Sequence, residues 1–335
     1  MIYLLRLLKT SALRHWHFLV MASMLAWCAG CAFITIPLGR GSQPLQETVV
    51  AGSGKAKILL VDISGVISLE NESGLMPFEG KPSMVARVKE ELSKAARDKH
   101  IKGVVLRINS PGGTVTASDI LYQEVVRFKK EKGVPVVACM MDIAASGGYY
   151  VALAADEILA HPTTVTGSIG VIAIKFNAQG LMEKIGVQDE SLKAGDKKDL
   201  WSPLRPAREE EREILQHIAD SMHSHFIDIV ASSRQQLTRE QIVLLADGRI
   251  YTAPQAAASN LIDGIGYLED AVDSIESLAG VKEARIILYH RPFGYKNNIY
   301  SHLAPLPAST LNLINVDLGS LATHRGVSFM YLWCP

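Results

Sequence analysis

The chain has 335 residues with 34 basic and 34 acidic side chains, so its formal net charge is zero. Apolar residues make up 48 % and charged residues 20 % of it, as in a globular protein with a sizeable core. The balanced charge and the lack of a basic stripe argue against nucleic-acid binding. The four cysteines and ten histidines match neither a disulfide framework nor a metal-binding spacing, so no metal or cofactor is expected.

The N-terminal segment has the pattern of a membrane anchor. Residues 1–17 contain Arg6, Lys9 and Arg14 and no acidic residue, whereas residues 18–37 are uncharged. A helix of this length, at about 1.5 Å per residue, spans a bilayer core of about 30 Å. Because positive charge precedes the segment, the sequence predicts a single-pass protein of the cell membrane with its folded part on the extracytoplasmic side.

Two other interpretations of this segment stay open. It could be a cleaved signal peptide, although such peptides have a shorter apolar run and a small-x-small exit. The string Ala29-Gly30-Cys31 also resembles a lipoprotein cleavage site, which would lipidate Cys31, but Cys28 stands where an aliphatic residue is expected. All three interpretations put the rest of the chain outside the cytoplasm.

The remaining chain alternates strand and helix patterns. Residues 40–56 are rich in glycine, serine and polar residues and are predicted to be a linker. Strands are predicted at 57–67, 103–109, 135–140, 157–160 and 168–174, and helices at 82–98, 114–132, 143–155 and 208–236. This order predicts an α/β fold with a mostly parallel, buried sheet. The expected organisation is a cytoplasmic stub and anchor (1–39), the linker (40–56), one domain (57–290) and a C-terminal tail (291–335).

Ser146 is the first candidate for chemistry. It lies in Asp142-Ile143-Ala144-Ala145-Ser146-Gly147-Gly148, between a predicted buried strand and a helix. Two glycines in the first helical turns cost about 1 kcal/mol each relative to alanine, a cost that is accepted where another group must approach the backbone closely. A serine at such a corner could be a nucleophile, or simply a helix cap beside packing glycines.

A second glycine-rich turn, Asn109-Ser110-Pro111-Gly112-Gly113, also stands between a strand and a helix. Free backbone N–H groups in such a turn can bind an oxyanion, although a tight turn without chemistry has the same composition.

A serine nucleophile needs a base, and three lysines crowd one loop, Lys193, Lys197 and Lys198. A lysine acts as a base only when neutral, so its pKa must fall by a few units from the ordinary value of about 10.4. The residues themselves fit a basic surface loop equally well. His161, which follows in sequence, is the alternative base.

The order and spacing of several motifs resemble the signal peptide peptidase A (SppA) family, in its short, single-domain form. They are listed in chain order as residues 109–113 (NSPGG), 146–150 (SGGYY), 166–171 (TGSIGV), Lys198-Asp199 with Ser202-Pro203, and 247–251 (DGRIY) with Ala256-Ala257. The resemblance covers roughly residues 57–280, and residues 329–333 (FMYLW) also resemble family C-termini.

The resemblance implies a serine endopeptidase with a ClpP/crotonase-like fold, built on a spiral core of repeated ββα units. It assigns Ser146 as nucleophile, Lys198 as general base and Ser168 as the residue that orients the lysine. The backbone N–H of Gly113, with that of Gly112, would form the oxyanion hole. No cofactor is implied. The implied substrates are hydrophobic peptides such as remnant signal peptides at the membrane.

The resemblance also implies a homo-oligomeric ring, an octamer for short forms, in which neighbouring protomers contribute the serine and the lysine. Lys198 is favoured over Lys197 and Lys193 because Asp199 follows it and Ser202-Pro203 lies just behind. Asp199 should point away from Lys198 if the segment is extended. Two other functions are a crotonase-type acyl-CoA enzyme and a catalytically inactive membrane scaffold; the predicted anchor argues against the first, and the intact serine and lysine set against the second.

Overall fold

A computed structural model describes residues 44–71, 82–291 and 328–333. The predicted membrane segment at 18–37 and the candidate lipidation site Cys31 lie outside this range. Among the helices in the described part of the chain, none is both long and apolar enough to cross a membrane.

The described residues form strands and helices in alternation. The strands are β1 (Gln46–Ala51), β2 (Ala56–Ser64), β3 (Ile101–Ser110), β4 (Gly112–Thr114), β5 (Val136–Ala145), β6 (Glu157–Ala160), β7 (Val165–Gly167), β8 (Ile172–Ala173), β9 (Ile250–Thr252), β10 (Gly264–Ile265), β11 (Ala284–His290) and β12 (Phe329–Leu332). The helices are α1 (Met84–Arg97), α2 (Val115–Lys132), α3 (Gly147–Ala152), α4 (Gln179–Ile185), α5 (Glu209–Ser233), α6 (Arg239–Leu245), α7 (Ala253–Ala258) and α8 (Leu268–Ala279).

Most strands belong to one mixed sheet. Its order is β1-β11-β2-β3-β5-β6-β10, and β7 pairs with the end of β5 and with β9. Strands β11, β2, β3, β5, β6 and β10 are parallel, which confirms the predicted parallel centre, while β1 and β9 add antiparallel pairs. A second, small sheet in the described residues has the order β4-β12-β8.

Both faces of the main sheet are buried, because successive side chains of a strand point to opposite sides. In β2, Leu59 and Val61 join the larger core, whereas Ile58 and Leu60 join a smaller core beneath α8. Because β3 and β5 run parallel, their carboxyl ends lie at the same edge of the sheet, where each strand leads into one of the two glycine-rich turns.

The structure corrects three of the predicted elements. The interval 40–56 is not a linker throughout: residues 46–51 form β1, which pairs with β11 at the sheet edge, and the glycine-rich turn is confined to the following residues. The helix predicted at 143–155 is short, because β5 continues to Ala145. Of the strand predicted at 168–174, only the two residues of β8, Ile172–Ala173, form a strand, and the preceding strand β7 already ends at Gly167.

Candidate active site

Ser146 lies at the junction of β5 and α3 in a strained backbone conformation. Its φ is 52° and its ψ is −114°, and it is 1 % exposed. Its N–H donates to the Gly167 carbonyl at 2.7 Å, and its side chain does not cap α3. A positive φ in a residue with a side chain costs free energy and is concentrated at functional sites. The helix-cap interpretation of Ser146 is therefore wrong, and its hydroxyl is left for other use.

The two glycines after Ser146 are required by close packing. A Cβ atom on Gly148 would lie 2.6 Å from the Ser110 carbonyl oxygen, and one on Gly147 would lie 2.3 Å from the Ser118 hydroxyl. The start of α3 is thus pressed against the turn after β3. This contact explains why the sequence accepts glycine in a helix, as the pattern predicted.

Ser168 occupies the matching position on the neighbouring strand. Strand β7 runs parallel to the end of β5, with Ala145 in register with Gly167. Ser168 follows at a φ of 51°, is 8 % exposed, and donates its N–H to the Arg249 carbonyl at 2.7 Å. The structure therefore brings Ser146 and Ser168 together at one edge of the sheet.

The turn after β3 differs in one respect from the predicted oxyanion hole. The Gly112 N–H donates to the Ser110 hydroxyl at 3.1 Å, so this donor is already used within the turn. Gly112 instead supplies a φ of +103°, a conformation that favours glycine. The first N–H of α3, at Gly147, lies close by: a Cβ on Gly112 would be 2.7 Å from the Gly147 nitrogen.

Strand β12, from the predicted C-terminal tail, lies against this turn. It pairs antiparallel with β4 on one side, Tyr331 opposite Gly113, and with β8 on the other. The Trp333 N–H donates to the Pro111 carbonyl at 2.9 Å. Hydrogen-bonded pairs alternate along an antiparallel ladder, so Gly113 and Tyr331 form the next such pair.

The Tyr331 carbonyl oxygen lies beside the start of α3. A Cβ on Gly112 would be 1.9 Å from this oxygen, and a Cβ on Gly147 would be 3.1 Å from it. The segment Phe329–Leu332 of the predicted C-terminal tail thus lies next to Ser146. The strand that lies in this position, β12, is therefore a segment of the same chain as Ser146.

The Tyr331 side chain fills an aromatic pocket and is fully buried. Its ring stacks on Tyr150 at 5.2 Å between centroids and contacts Phe226 at 4.7 Å. Its hydroxyl donates to the Met222 carbonyl at 2.8 Å. Burial raises the pKa of both Tyr331 and Tyr150, and a hydrogen bond to Asp119 raises that of Tyr150 further, so both phenols stay neutral.

The three lysines of the predicted base loop have different surroundings. Lys193 Nζ lies 2.7 Å from Asp199, and Lys197 forms an ion pair with Glu210. Lys198 is exposed, and it forms no ion pair with any other described residue. The loop is not extended: hydrogen bonds from Lys198 to Gly195 and from Ser202 to Asp199 make consecutive turns. The prediction that an extended segment turns the Asp199 side chain away from Lys198 is therefore wrong.

The Asp199 carboxylate binds cations other than Lys198. Arg205 Nε donates to its carboxylate at 2.7 Å. The hydrogen bonds from Arg205 and then from Lys193 hold the pKa of Asp199 below its ordinary value. Sequence reasoning missed Arg205; its position after Ser202-Pro203 was the available signal.

His161 has partners away from the serine. Its Nδ1 lies 2.8 Å from the Thr163 hydroxyl, and its ring packs edge-on against Tyr267 at 4.9 Å. These contacts leave His161 as a surface residue and do not support it as the base. Among the described residues, no group of histidine, cysteine and acidic side chains could hold a metal ion.

Comparison with known proteins identifies the class. A model of the Clp protease family matches residues 75–166, and the model described as Peptidase family S49 matches residues 128–282. Together with the mixed sheet, these matches define an α/β serine protease with a ClpP-like fold.

A protein from Enterococcus faecium, named as a signal peptide peptidase SppA, is 38 % identical over 244 residues, or 73 % of this chain and 70 % of that protein. The chloroplastic serine protease SPPA of Arabidopsis thaliana is 33 % identical over 77 % of this chain and 38 % of its own length. Protease 4 of Salmonella typhi is 32 % identical over 68 % of this chain and 37 % of its own length. The chain belongs to peptidase family S49, the SppA family.

Proposed function

We propose that the chain is a membrane-anchored endopeptidase with a Ser–Lys dyad that cleaves hydrophobic peptides such as remnant signal peptides. The observation that supports this most is the position of β12. An extended segment pairs with β4 and puts a main-chain carbonyl beside the start of α3, next to Ser146. Strand addition to an exposed edge is a common way to bind extended peptides.

The proposed chemistry is acyl transfer. Lys198 removes the proton of Ser146 as the serine oxygen attacks a peptide carbonyl carbon, and it later returns a proton to the leaving amine. Ser168 hydrogen-bonds the lysine and orients it. Water then hydrolyses the acyl-enzyme.

The oxyanion is stabilised by the N–H groups of Gly113 and Gly147. Gly113 pairs with Tyr331 of β12, so its N–H marks the place that a substrate carbonyl takes once the substrate displaces β12. Gly147 is the first residue of α3, and its N–H has no partner within the helix. Gly147 replaces Gly112 in the predicted set, because the Gly112 N–H already binds Ser110.

The dyad requires a second copy of the chain. A lysine must be desolvated to be neutral near pH 7, and Lys198 is exposed within the described part of one chain. The segment around it exposes apolar side chains that a neighbour could cover, among them Phe176, Leu181, Ile185 and Leu192. We therefore propose a homo-oligomeric ring, an octamer by family resemblance, in which Lys198 of one protomer serves Ser146 of the next.

The proposed location is the cell membrane, with residues 18–37 as a single span and the protease domain on the extracytoplasmic side. The support is the uncharged run of residues 18–37, preceded by Arg6, Lys9 and Arg14. Such a location would put the site near hydrophobic peptides left in the bilayer.

Mixing two inactive variants tests both the dyad and the ring. Ser146→Ala and Lys198→Ala should each abolish cleavage of an unstructured hydrophobic peptide, with Lys197→Ala as the active control. Co-assembled Ser146→Ala and Lys198→Ala chains should regain part of the activity, because intact Ser146 and Lys198 then meet across an interface. Full activity of Lys198→Ala alone would rule out the base. No recovery on mixing, with assembly verified, would rule out its supply by a neighbour.

A further inference from the structure

Arg205 uses its whole guanidinium group to connect the loop of residues 193–202, here called the Lys198 loop, with the start of α5. Its Nε donates to the Asp199 carboxylate at 2.7 Å, and its Nη2 donates to the Asp199 main-chain carbonyl at 3.1 Å. The same group donates to both carboxylate oxygens of Glu211, at 2.9 Å and 2.5 Å, and to the Pro206 carbonyl at 2.9 Å. All five N–H donors of the arginine are therefore used.

Glu211 is a fixed anchor for this connection. Its side chain is fully buried, and it accepts the Arg208 N–H at 3.0 Å as part of the capping box of α5. A buried carboxylate must be paired, so Arg205 cannot leave it without cost. The loop is held to the longest described helix through this pair.

We propose that Arg205 is a positioning residue for Lys198: it binds the Asp199 carboxylate and carbonyl, so that the lysine next to them keeps its side chain free of a carboxylate. This inference rests on the proposed role of Lys198 as the base. Without Arg205, the Asp199 carboxylate could turn to the adjacent ammonium. An ion pair there would favour the protonated lysine, which cannot accept the serine proton.

Other charges face the same cluster, and none replaces Arg205. Lys193 and Arg208 lie 2.7 Å and 3.8 Å from the Oδ1 oxygen of Asp199, whereas Arg205 binds the Oδ2 oxygen together with the main-chain carbonyl. Lys175 donates to the Arg205 carbonyl at 3.2 Å and lies 5.0 Å above the Trp201 ring. Asp196, whose main-chain carbonyl accepts from Arg208 at 2.9 Å, and the pairs Lys197–Glu210 and Arg212–Glu209 also lie around this cluster.

The test is the pH dependence of kcat/KM for a hydrophobic peptide in the assembled, full-length enzyme. In Arg205→Met, the acid limb of the pH profile, where kcat/KM falls as the pH is lowered, should move to higher pH by roughly one unit. At a fixed pH on that limb, this shift is about a tenfold loss of kcat/KM. The double variant Asp199→Asn/Arg205→Met should move the limb back, because the freed group is then an uncharged amide. A purely structural role would not give this recovery.

Three outcomes overturn the inference: an equal loss at every pH in Arg205→Met, an unmoved limb, or a limb that stays displaced in the double variant. If Arg205→Met does not assemble, Arg205→Lys replaces it. Lysine keeps the charge but cannot bind Asp199 and Glu211 through one planar fork, so the limb should move in the same direction by less; no movement contradicts the inference. Activity in Lys198→Ala, by contrast, would overturn the proposed dyad itself.

Discussion

Ser146 and Ser168 each stand one residue beyond a register pair, Ala145 with Gly167, of two parallel strands. Both have a φ near 51°, and the Ser146 N–H binds the carbonyl of the residue before Ser168 at 2.7 Å. The sheet thus places the backbones of the two serines side by side, and we propose that both side chains meet the same base. This pairing gives the proposed dyad its third member.

We expect Ser168→Ala to lower kcat about 10- to 100-fold with a smaller effect on KM, because the lysine loses a hydrogen bond that orients it. The melting temperature should stay close to that of the wild type. Ser191→Ala, on an exposed loop, is the control and should keep full activity. Unchanged kinetics in Ser168→Ala would remove Ser168 from the site.

Gly148→Ala should destabilise the fold by about 1–3 kcal/mol, because the added methyl would overlap the Ser110 carbonyl at 2.6 Å. The shift of α3 against the turn should also lower activity. Gly180→Ala is the matched control, since nothing lies within 4 Å of its added Cβ and alanine favours the helix. Thermal unfolding of both variants measures the difference; equal stability would contradict the close packing.

The pH profile of the wild type should reflect a base that must lose a proton. Activity should fall steeply below neutral pH, since a protonated lysine cannot accept the serine proton, and should recover fully on return to higher pH. A rate that does not change between about pH 5 and pH 9 would contradict a lysine base.

The Lys198 loop should loosen in acid. Hydrogen bonds from Arg205 lower the pKa of Glu211 from 4.5 to about 2, and Arg205 and Lys193 lower that of Asp199. A carboxylate with a lowered pKa contributes stability above its ordinary pKa and loses it as the pH falls through the lowered value. We therefore expect loosening between about pH 4.5 and pH 2.

Trp201 reports this change, because it lies in the loop beneath the Lys175 ammonium. Its fluorescence should change within that window, and Trp201→Phe corrects for the other tryptophans. In Glu211→Gln the change should be present already at neutral pH. A constant signal down to pH 2 would show that these carboxylates do not hold the loop.

Much of the fold could be predicted from the sequence, because buried parallel strands have distinctive apolar runs. The strand ending at Ser110 and the helix from Val115 to Lys132 agree closely with prediction. The errors arose where local pattern and tertiary pairing disagree. Residues 46–51 look polar and linker-like, yet they become a strand because β11 provides an edge with which to pair.

The site was predicted in part. The backbones of Ser146 and Ser168 lie side by side at the ends of β5 and β7, but Gly112 was assigned an oxyanion role although its N–H binds Ser110. That bond depends on a side-chain rotamer, which no spacing pattern reveals. The pairing of Tyr331 with Gly113 joins residues more than 200 positions apart, and Arg205 matters through contacts with Asp199 and Glu211 that are equally invisible in the sequence.

The most direct test of the account is covalent labelling of the assembled enzyme with a serine-reactive phosphonate, followed by peptide mass mapping. The label should be found on Ser146, disappear in Ser146→Ala, and fall strongly in Lys198→Ala while Lys197→Ala is labelled like the wild type. Labelling of a different serine, or undiminished labelling of Ser146 in Lys198→Ala, would contradict the proposed dyad.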